Sequence, residues 1–235
     1  MFRSWCPGET APARGAGDDA VLSDPRLMLR TEDDVECAAL VWQFPRPLRS
    51  ASTAACGGGI GLRHWVINAQ VAAGYARTDL AAHVAELAEL AGLFGTGVGM
   101  LTAVDVRTAR FAGDEGVHVA ATVGLTHPRW AADLAGSDGQ VDGDGPGTIN
   151  LVALLPTRLM DGALINAVAT LTEAKCQALW DAGVEATGTP SDAVTVLCPA
   201  TGPAATFGGP RSEWGARLAR AGYWAVRGVQ PGPAT

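Results

Sequence analysis

No stretch of this 235-residue chain stays apolar for the ~18 residues that a membrane-spanning helix needs, and Met1–Ala20 lacks the apolar centre of a secretory leader. A membrane protein or a secreted one is therefore not expected, and the expected location is cytoplasmic. Basic clusters are missing as well. No four Lys or Arg residues fall together, and 17 basic residues face 24 acidic ones for a net charge of −7. That leaves no electrostatic footprint for nucleic acid or for an anionic membrane surface. The five cysteines (Cys6, Cys37, Cys56, Cys176, Cys198) show no CxxC spacing, and the four histidines (His64, His83, His118, His127) are scattered. Nothing in that pattern supports a metal site, and the thiols suit a reducing compartment. No Walker-type or dinucleotide-type glycine loop stands between a strand and a helix. Neither a repeat period nor a linker divides the core, so one α/β or α+β domain is expected over residues 31–228, between a flexible tail at 1–30 and a frayed one at 229–235.

What is present is a set of apolar runs with clear punctuation. Residues 1–30 are rich in Ala, Gly, Pro, Arg and Asp and read as a loose tail, or as a docking segment. Structure is expected to begin near Asp34. Cys37–Phe44 suits a strand, Pro45 and Pro47 break it, and Leu48–Ala55 reads as a second strand. Gly57–Gly59 is either a hairpin turn or a place where backbone approaches a ligand, and Ile60–Val71 follows. Asp79 reads as the cap of a helix to Leu93, with Leu80, Val84, Leu87, Leu90 and Ala91 on one stripe and His83 beside it. Gly95–Val104 reads as a tight turn into a strand, and Val117–Leu125 as another, reached by a hairpin-like link at 113–116. His127 follows in a loop and is the histidine expected to face a pocket. Ser212 should cap a final helix to Arg227.

The most informative stretch is Pro146–Pro156. A glycine-rich acidic loop (136–147) runs into Thr148, which opens a buried strand to Leu155, and the helix Asp161–Gly183 follows. A hydroxyl at a loop-to-strand edge is either a β-branched strand starter or a presented nucleophile. On the helix, Leu164, Val168, Leu171, Ala178 and Leu179 share a stripe with Lys175 in its middle, while Asn166, Glu173 and Gln177 lie opposite. Lys175 must then be paired, reach a polar cavity, or snorkel. A second cluster of hydroxyls and a carboxylate, Ala186–Asp192, precedes the strand Asp192–Pro199.

The segments GTGVGMLTAV (95–104), VAATVGLTHP (119–128), GTINLVALLPTRLMDGALINAVATLTEAKCQAL (147–179), ATGTPSDAVTVLCP (186–199) and FGGPRSEWGARLARA (207–221) resemble the adenosylcobinamide amidohydrolase family. ACGGGIGLRHWVINAQV (55–71) fits less closely. The resemblance implies a corrinoid-salvage hydrolase that cuts the amide joining aminopropanol to the corrin ring system, giving adenosylcobyric acid and 1-aminopropan-2-ol. It implies a small-molecule corrinoid partner and no cofactor, since the cobalt belongs to the substrate; a homo-oligomer stays open. A more distant likeness, to the L-aminopeptidase/D-amidase group and ornithine acetyltransferase, implies an αββα sandwich of stacked sheets flanked by helices. Carried across by position, that likeness puts a self-released nucleophile on Thr148, and a supporting hydroxyl and acid on Thr189 or Ser191 and Asp192.

Amide hydrolysis needs a nucleophile, a proton carrier and oxyanion donors. A Thr148 freed at its amine would carry its own base, with pKa ~8. In an uncut chain, water activated by Asp192 or Glu173 would be the alternative. Oxyanion donors could come from Asn150, the 95–99 backbone or a group near Thr122, with Lys175 holding a proton network or the corrin periphery. Asn68, Glu173, Thr189 and Ser191 are the expected substrate contacts. A non-catalytic corrinoid binder and a peptidase or acyltransferase on the same scaffold are the competing readings.

Overall fold

The computed structural model describes residues 24–32, 34–133 and 147–228. Its first strand, β1 (Arg26–Glu32), pairs antiparallel with β2 (Val35–Ser52), Arg26 opposite Val41. Order therefore begins earlier than the tail boundary at residue 30 and the onset near Asp34. Met28 explains it: its side chain is buried against Ala39 and Val41 of β2, a tie that composition could not reveal. The expected residues 1–23 and 229–235 of the two tails, and the loop at 136–146, lie outside the described residues.

The two strands expected at 37–44 and 48–55 are one. β2 pairs with β3 (Gly59–Gln70) on both sides of the prolines, from Ala39↔Ala69 to Gln43↔Trp65 and from Leu48↔Arg63 to Ser52↔Gly59. Phe44–Pro47 stand against His64 alone. A bulge takes up residues that lack an N–H without ending the strand. Gly57–Gly59 is the turn joining these strands, with φ of +71° at Gly57 and +80° at Gly59.

The helix α1 (Leu80–Leu90) connects β3 to β4 (Gly97–Thr102), which lies parallel to it. Parallel neighbours require such a crossover. Asp79 sits at the helix start but makes no side-chain cap; its carboxylate takes two bonds from Arg77 at 2.9 and 2.8 Å instead. The buried stripe is His83, Val84, Leu87 and Ala88, so Leu90 turns out to face solvent and His83 to be core. His83 stacks on Tyr75, shares a 2.7 Å hydrogen bond with its hydroxyl and faces Glu32.

A hairpin of β5 (Arg110–Asp114) and β6 (Val117–Val123) leads to β7 (Ile149–Leu154), antiparallel to β6. A two-residue strand, β8 (Arg158–Leu159), precedes α2 (Asp161–Asp181), whose end is marked by Gly183 at φ +78° as expected. Then come β9 (Ala193–Cys198), parallel to β7, a short β10 (Ala204–Ala205) beside β8, and α3 (Glu213–Arg227), capped by the Ser212 hydroxyl accepting from Gly215 N.

The eight long strands form a single mixed sheet in the order β4-β3-β2-β9-β7-β6-β5, with β1 also on β2. The sheet folds back on itself. Leu40, Trp42 and Phe44 of β2, Val66 of β3 and Met100 of β4 share a core with Ala120 of β6, Val152 and Leu154 of β7 and Leu197 of β9. These strands are not all hydrogen-bonded neighbours, so the core joins two sheet halves face to face. Outside one half, α1 covers Val41, Trp65 and Ile67; outside the other, α2 and α3 cover Ile149, Leu151, Val194 and Val196. The order of layers is thus helix, half-sheet, half-sheet, helix pair. α2 and α3 approach so closely that a Cβ at Gly222 would lie 2.2 Å from Leu171 Cδ1. β7 is buried at all six residues, its even-numbered side chains between the half-sheets and its odd-numbered ones under the helices.

Candidate active site

The parallel pairing Asn150↔Ala193 sets the heads of β7 and β9 side by side. This pairing brings the two hydroxyl-bearing clusters together. Thr148, 3 % exposed, has its Oγ1 2.7 Å from Ser191 Oγ, and Ser191 Oγ lies 3.5 Å from the Gly147 carbonyl oxygen. Strand alternation puts this hydroxyl pair on the side facing the other half-sheet.

The next residue of each strand points the other way, toward α2. Asp192 Oδ1 accepts from Ile149 N at 3.0 Å and from the Thr189 hydroxyl at 2.5 Å, and Oδ2 accepts from Lys175 Nζ. Lys175 is buried and Asp192 half-buried, at 7 % and 10 % side-chain exposure. Lys175 therefore does not snorkel. It completes an ion pair that ties α2 to the heads of both strands, back to back with the Thr148–Ser191 pair. Gly188 closes over that ion pair: a Cβ there would sit 2.2 Å from Asp192 Oδ2 and 2.5 Å from Lys175 Nζ.

Deeper between the half-sheets runs an amide chain. Asn150 Nδ2 donates to Asn68 Oδ1 at 2.8 Å, and Asn68 Nδ2 donates to Thr122 Oγ1 at 3.0 Å. The Leu101 carbonyl, 3.4 Å from Asn150 Nδ2, fixes which end of that amide is the donor. Asn150 Oδ1 is buried without a partner among the described residues. In this orientation Asn150 presents an acceptor, and the N–H2 expected to serve as an oxyanion donor is bonded to Asn68.

Three other expectations move. Glu173 is exposed, two residues and about 200° around the helix from Lys175, and stands apart from the cluster. The 95–99 backbone pairs with Trp65–Ile67, Gly97 lying flat against the indole and Gly99 ending one position short of Met100, which faces Asn68. The backbone of His127 borders the site, as a Cβ at Gly147 would lie 3.0 Å from its N and 2.8 Å from that of Thr126. The Cys176 thiol, beside Lys175, donates to the Thr187 carbonyl at 3.1 Å, and burial pushes it above the usual range. Sequence reasoning missed Gly188, whose only sign was a glycine flanked by two threonines.

Two clefts stand elsewhere. One of about 600 Å³ lies between α1 and the β3–β4 edge, lined by Trp65, Ala88, Leu93 and Phe94; the other, of about 170 Å³, includes Arg30, Glu32 and His83. Neither touches Thr148, and the larger is lined by a single charged side chain, Glu89, and no nucleophile. Among the described residues no three His, Cys, Asp or Glu side chains gather as a metal site, and no helix is long and apolar enough to cross a membrane.

Fold and site together define a layered α/β protein with a buried threonine hydroxyl at the head of a central strand, backed by an ion pair. The chain belongs to the adenosylcobinamide amidohydrolase family, whose model matches residues 25–229. It is 42 % identical over 121 residues to the adenosylcobinamide amidohydrolase of Halobacterium salinarum, covering 50 % of this chain and 51 % of that protein. That match spans about half the length of the relative. The protein of the same name from Methanosarcina mazei is 27 % identical over 184 residues, covering 74 % of this chain and 85 % of its own. A crystal structure of a Pyrococcus horikoshii protein superposes with a TM-score of 0.43 at 9 % identity, over 94 % of this chain and 87 % of the other.

Proposed function

We propose that this protein hydrolyses the aminopropanol amide of adenosylcobinamide, releasing adenosylcobyric acid and 1-aminopropan-2-ol in the cytoplasmic salvage of cobalamin precursors, with Thr148 as nucleophile. The observation that carries the assignment to Thr148 is its 2.7 Å contact with Ser191 Oγ beside the Gly147 carbonyl. The layering supports reading the scaffold as that of the ornithine acetyltransferase and L-aminopeptidase/D-amidase group.

The choice of base follows from the hydrogen bonds. Both oxygens of Asp192 are taken by donors, and Glu173 is on the far side of α2, so neither is well placed to activate water. A freed Thr148 amine is the better base. In this reading Thr148 Oγ1 first attacks the Gly147 carbonyl carbon. The C–O bond forms, the Gly147–Thr148 C–N bond breaks and the nitrogen takes the hydroxyl proton. Ser191 Oγ donates to the carbonyl oxygen as it becomes negative. Water then cleaves the ester. In turnover the amine takes the Oγ1 proton, Oγ1 adds to the substrate carbonyl, and the leaving aminopropanol nitrogen collects the proton. A water deprotonated by the same amine cleaves the Thr148 ester and frees the carboxylic acid.

The test is incubation of the purified chain with adenosylcobinamide, with both products followed by mass spectrometry. Thr148→Ser should retain activity, and Thr148→Ala should lose at least ~10³-fold while still binding substrate. The same spectra of wild type should show two fragments meeting at Gly147–Thr148. Full turnover by Thr148→Ala would dismiss Thr148; an intact, active chain would dismiss the free-amine base.

A further inference from the structure

The geometry points to an aromatic shelf, Trp130 with Trp180, as the surface on which the corrin macrocycle of the substrate lies; this rests on the hydrolase reading above. The two indoles are 50 positions apart in sequence, yet their ring centroids are 6.1 Å apart with the planes tilted by 58°. They remain 40 % and 63 % exposed. A tryptophan pair that packs on itself and still leaves its faces to water offers a large apolar surface that none of the described residues covers.

The shelf is attached to the site by short, rigid connections. Arg129 N donates to Gly188 O at 2.8 Å and Thr187 N to Arg129 O at 2.9 Å. Ala131 N donates to Thr187 Oγ1 at 2.8 Å, and Trp130 N to Asp133 Oδ2 at 3.2 Å. The loop holding Trp130 is thereby fixed to the residues that cover the Lys175–Asp192 pair. Trp180 stands on the same helix as Lys175, just over one turn further on. At the other end of the loop, Thr126 N borders Gly147, one residue before the nucleophile. Trp130 lies four residues beyond Thr126, a span of at most ~14 Å. A broad macrocycle carrying its scissile amide on a peripheral arm can rest on the indoles and extend that arm to the strand head. Each part of this arrangement suits a flat, extended, largely apolar ligand, and the large flat part of adenosylcobinamide is its corrin. Its adenine is the other flat group with the same stacking chemistry, and the two are separable by experiment.

The experiment uses the whole chain and two probes, adenosylcobinamide and dicyanocobinamide, which keeps the corrin and lacks the adenine. Equilibrium dialysis read by corrin absorbance gives Kd, and product release gives kcat and KM. Trp130→Ala and Trp180→Ala should each raise Kd for both probes, and KM for the first, roughly tenfold, with kcat within about twofold of wild type. Trp130→Phe and Trp180→Phe should restore most of the affinity, which a merely structural role for an exposed pair would not produce. Unchanged Kd and KM in both alanine variants of an active enzyme would overturn the shelf and leave the hydrolase reading standing. Weakening confined to the adenosyl probe would overturn the corrin as its occupant. A wild type that binds neither probe would overturn both the shelf and the reading beneath it.

Discussion

Replacing Asp192 with Asn keeps the shape of the side chain and removes its charge, which isolates what the buried ion pair contributes. The carbonyl of the new amide can still accept from Ile149 N and Thr189 Oγ1, while its N–H2 replaces Oδ2 and meets the Lys175 ammonium, donor against donor. Lys175 is 7 % exposed and Gly188 lies over it, so little water reaches the place of the lost carboxylate. Breaking one side of a buried pair costs about 3–5 kcal/mol. Against a total stability of ~5–15 kcal/mol this is a large loss, and for a domain of this size it lowers Tm by roughly 6–20 °C. Lys175→Met should cost less, because Asp192 keeps two of its three donors. The double variant should be more stable than Asp192→Asn alone, since it removes the stranded ammonium. The assay is calorimetric melting of the four proteins as a cycle, repeated in high salt, which should not narrow the differences for a pair screened from solvent. An Asp192→Asn variant that melts within ~2 °C of wild type, or a cycle that is simply additive, would refute the claim that these charges hold the strand heads in place.

Gly188→Ala should reproduce much of that loss, about 1–3 kcal/mol, since its Cβ would press on both partners of the pair. Gly162→Ala is its control: nothing lies within 4 Å of a Cβ there, in the first turn of α2, and the urea midpoint should rise by an amount equivalent to ~0.4–1 kcal/mol. On the surface, hydrogen bonding to Arg77 holds the Asp79 carboxyl at about 2, below its ordinary 3.8, and lowers Glu86 as well. A depressed carboxylate adds stability that is present above its unfolded value and lost as pH falls through the folded one. Arg77→Ala should therefore melt slightly below wild type near pH 6 in low salt, and the gap should close toward about pH 2. A gap that persists in acid would assign the loss to packing instead.

The parts of the fold that could be read in the sequence were those whose signal is local. The period of Leu164, Leu171, Ala178 and Leu179 and the stop at Gly183 define α2, and the apolar runs give β6, β7 and β9. The bulged β2 could not be read. Pro45 and Pro47 look like breakers, and only the partner strand shows that pairing resumes at Leu48↔Arg63. β1 carries exposed leucines at positions 27 and 29 beside charged neighbours, so its role depends on a strand that follows it. In the site, the inward direction of Lys175 was visible on a helical wheel, and its partner Asp192 was named separately. What joins them is the parallel register of β7 and β9, a long-range fact. The acceptor role of Asn150 was out of reach for a similar reason, because Leu101 and Asn68, both distant in sequence, decide which end of the amide is free.

The same register explains why the site has two halves with different work. One step along each strand turns the side chain to the opposite face of the sheet. Thr148 and Ser191 meet between the half-sheets, whereas Asp192 and Lys175 meet beneath α2, and the backbone of Ile149 is shared by both. Asp192 binds the N–H of Ile149, so it acts on Thr148 by holding the peptide unit that follows it rather than by touching its hydroxyl. The two halves should then fail differently. Loss of the Thr148 hydroxyl removes the proposed nucleophile and leaves every tie of α2 to the strand heads in place. Loss of the Asp192 charge loosens the strand head and moves the hydroxyl with it, so stability and turnover should decline together. An Asp192 variant with a wild-type melting curve and no turnover would contradict that division and put the carboxylate among the groups that handle protons.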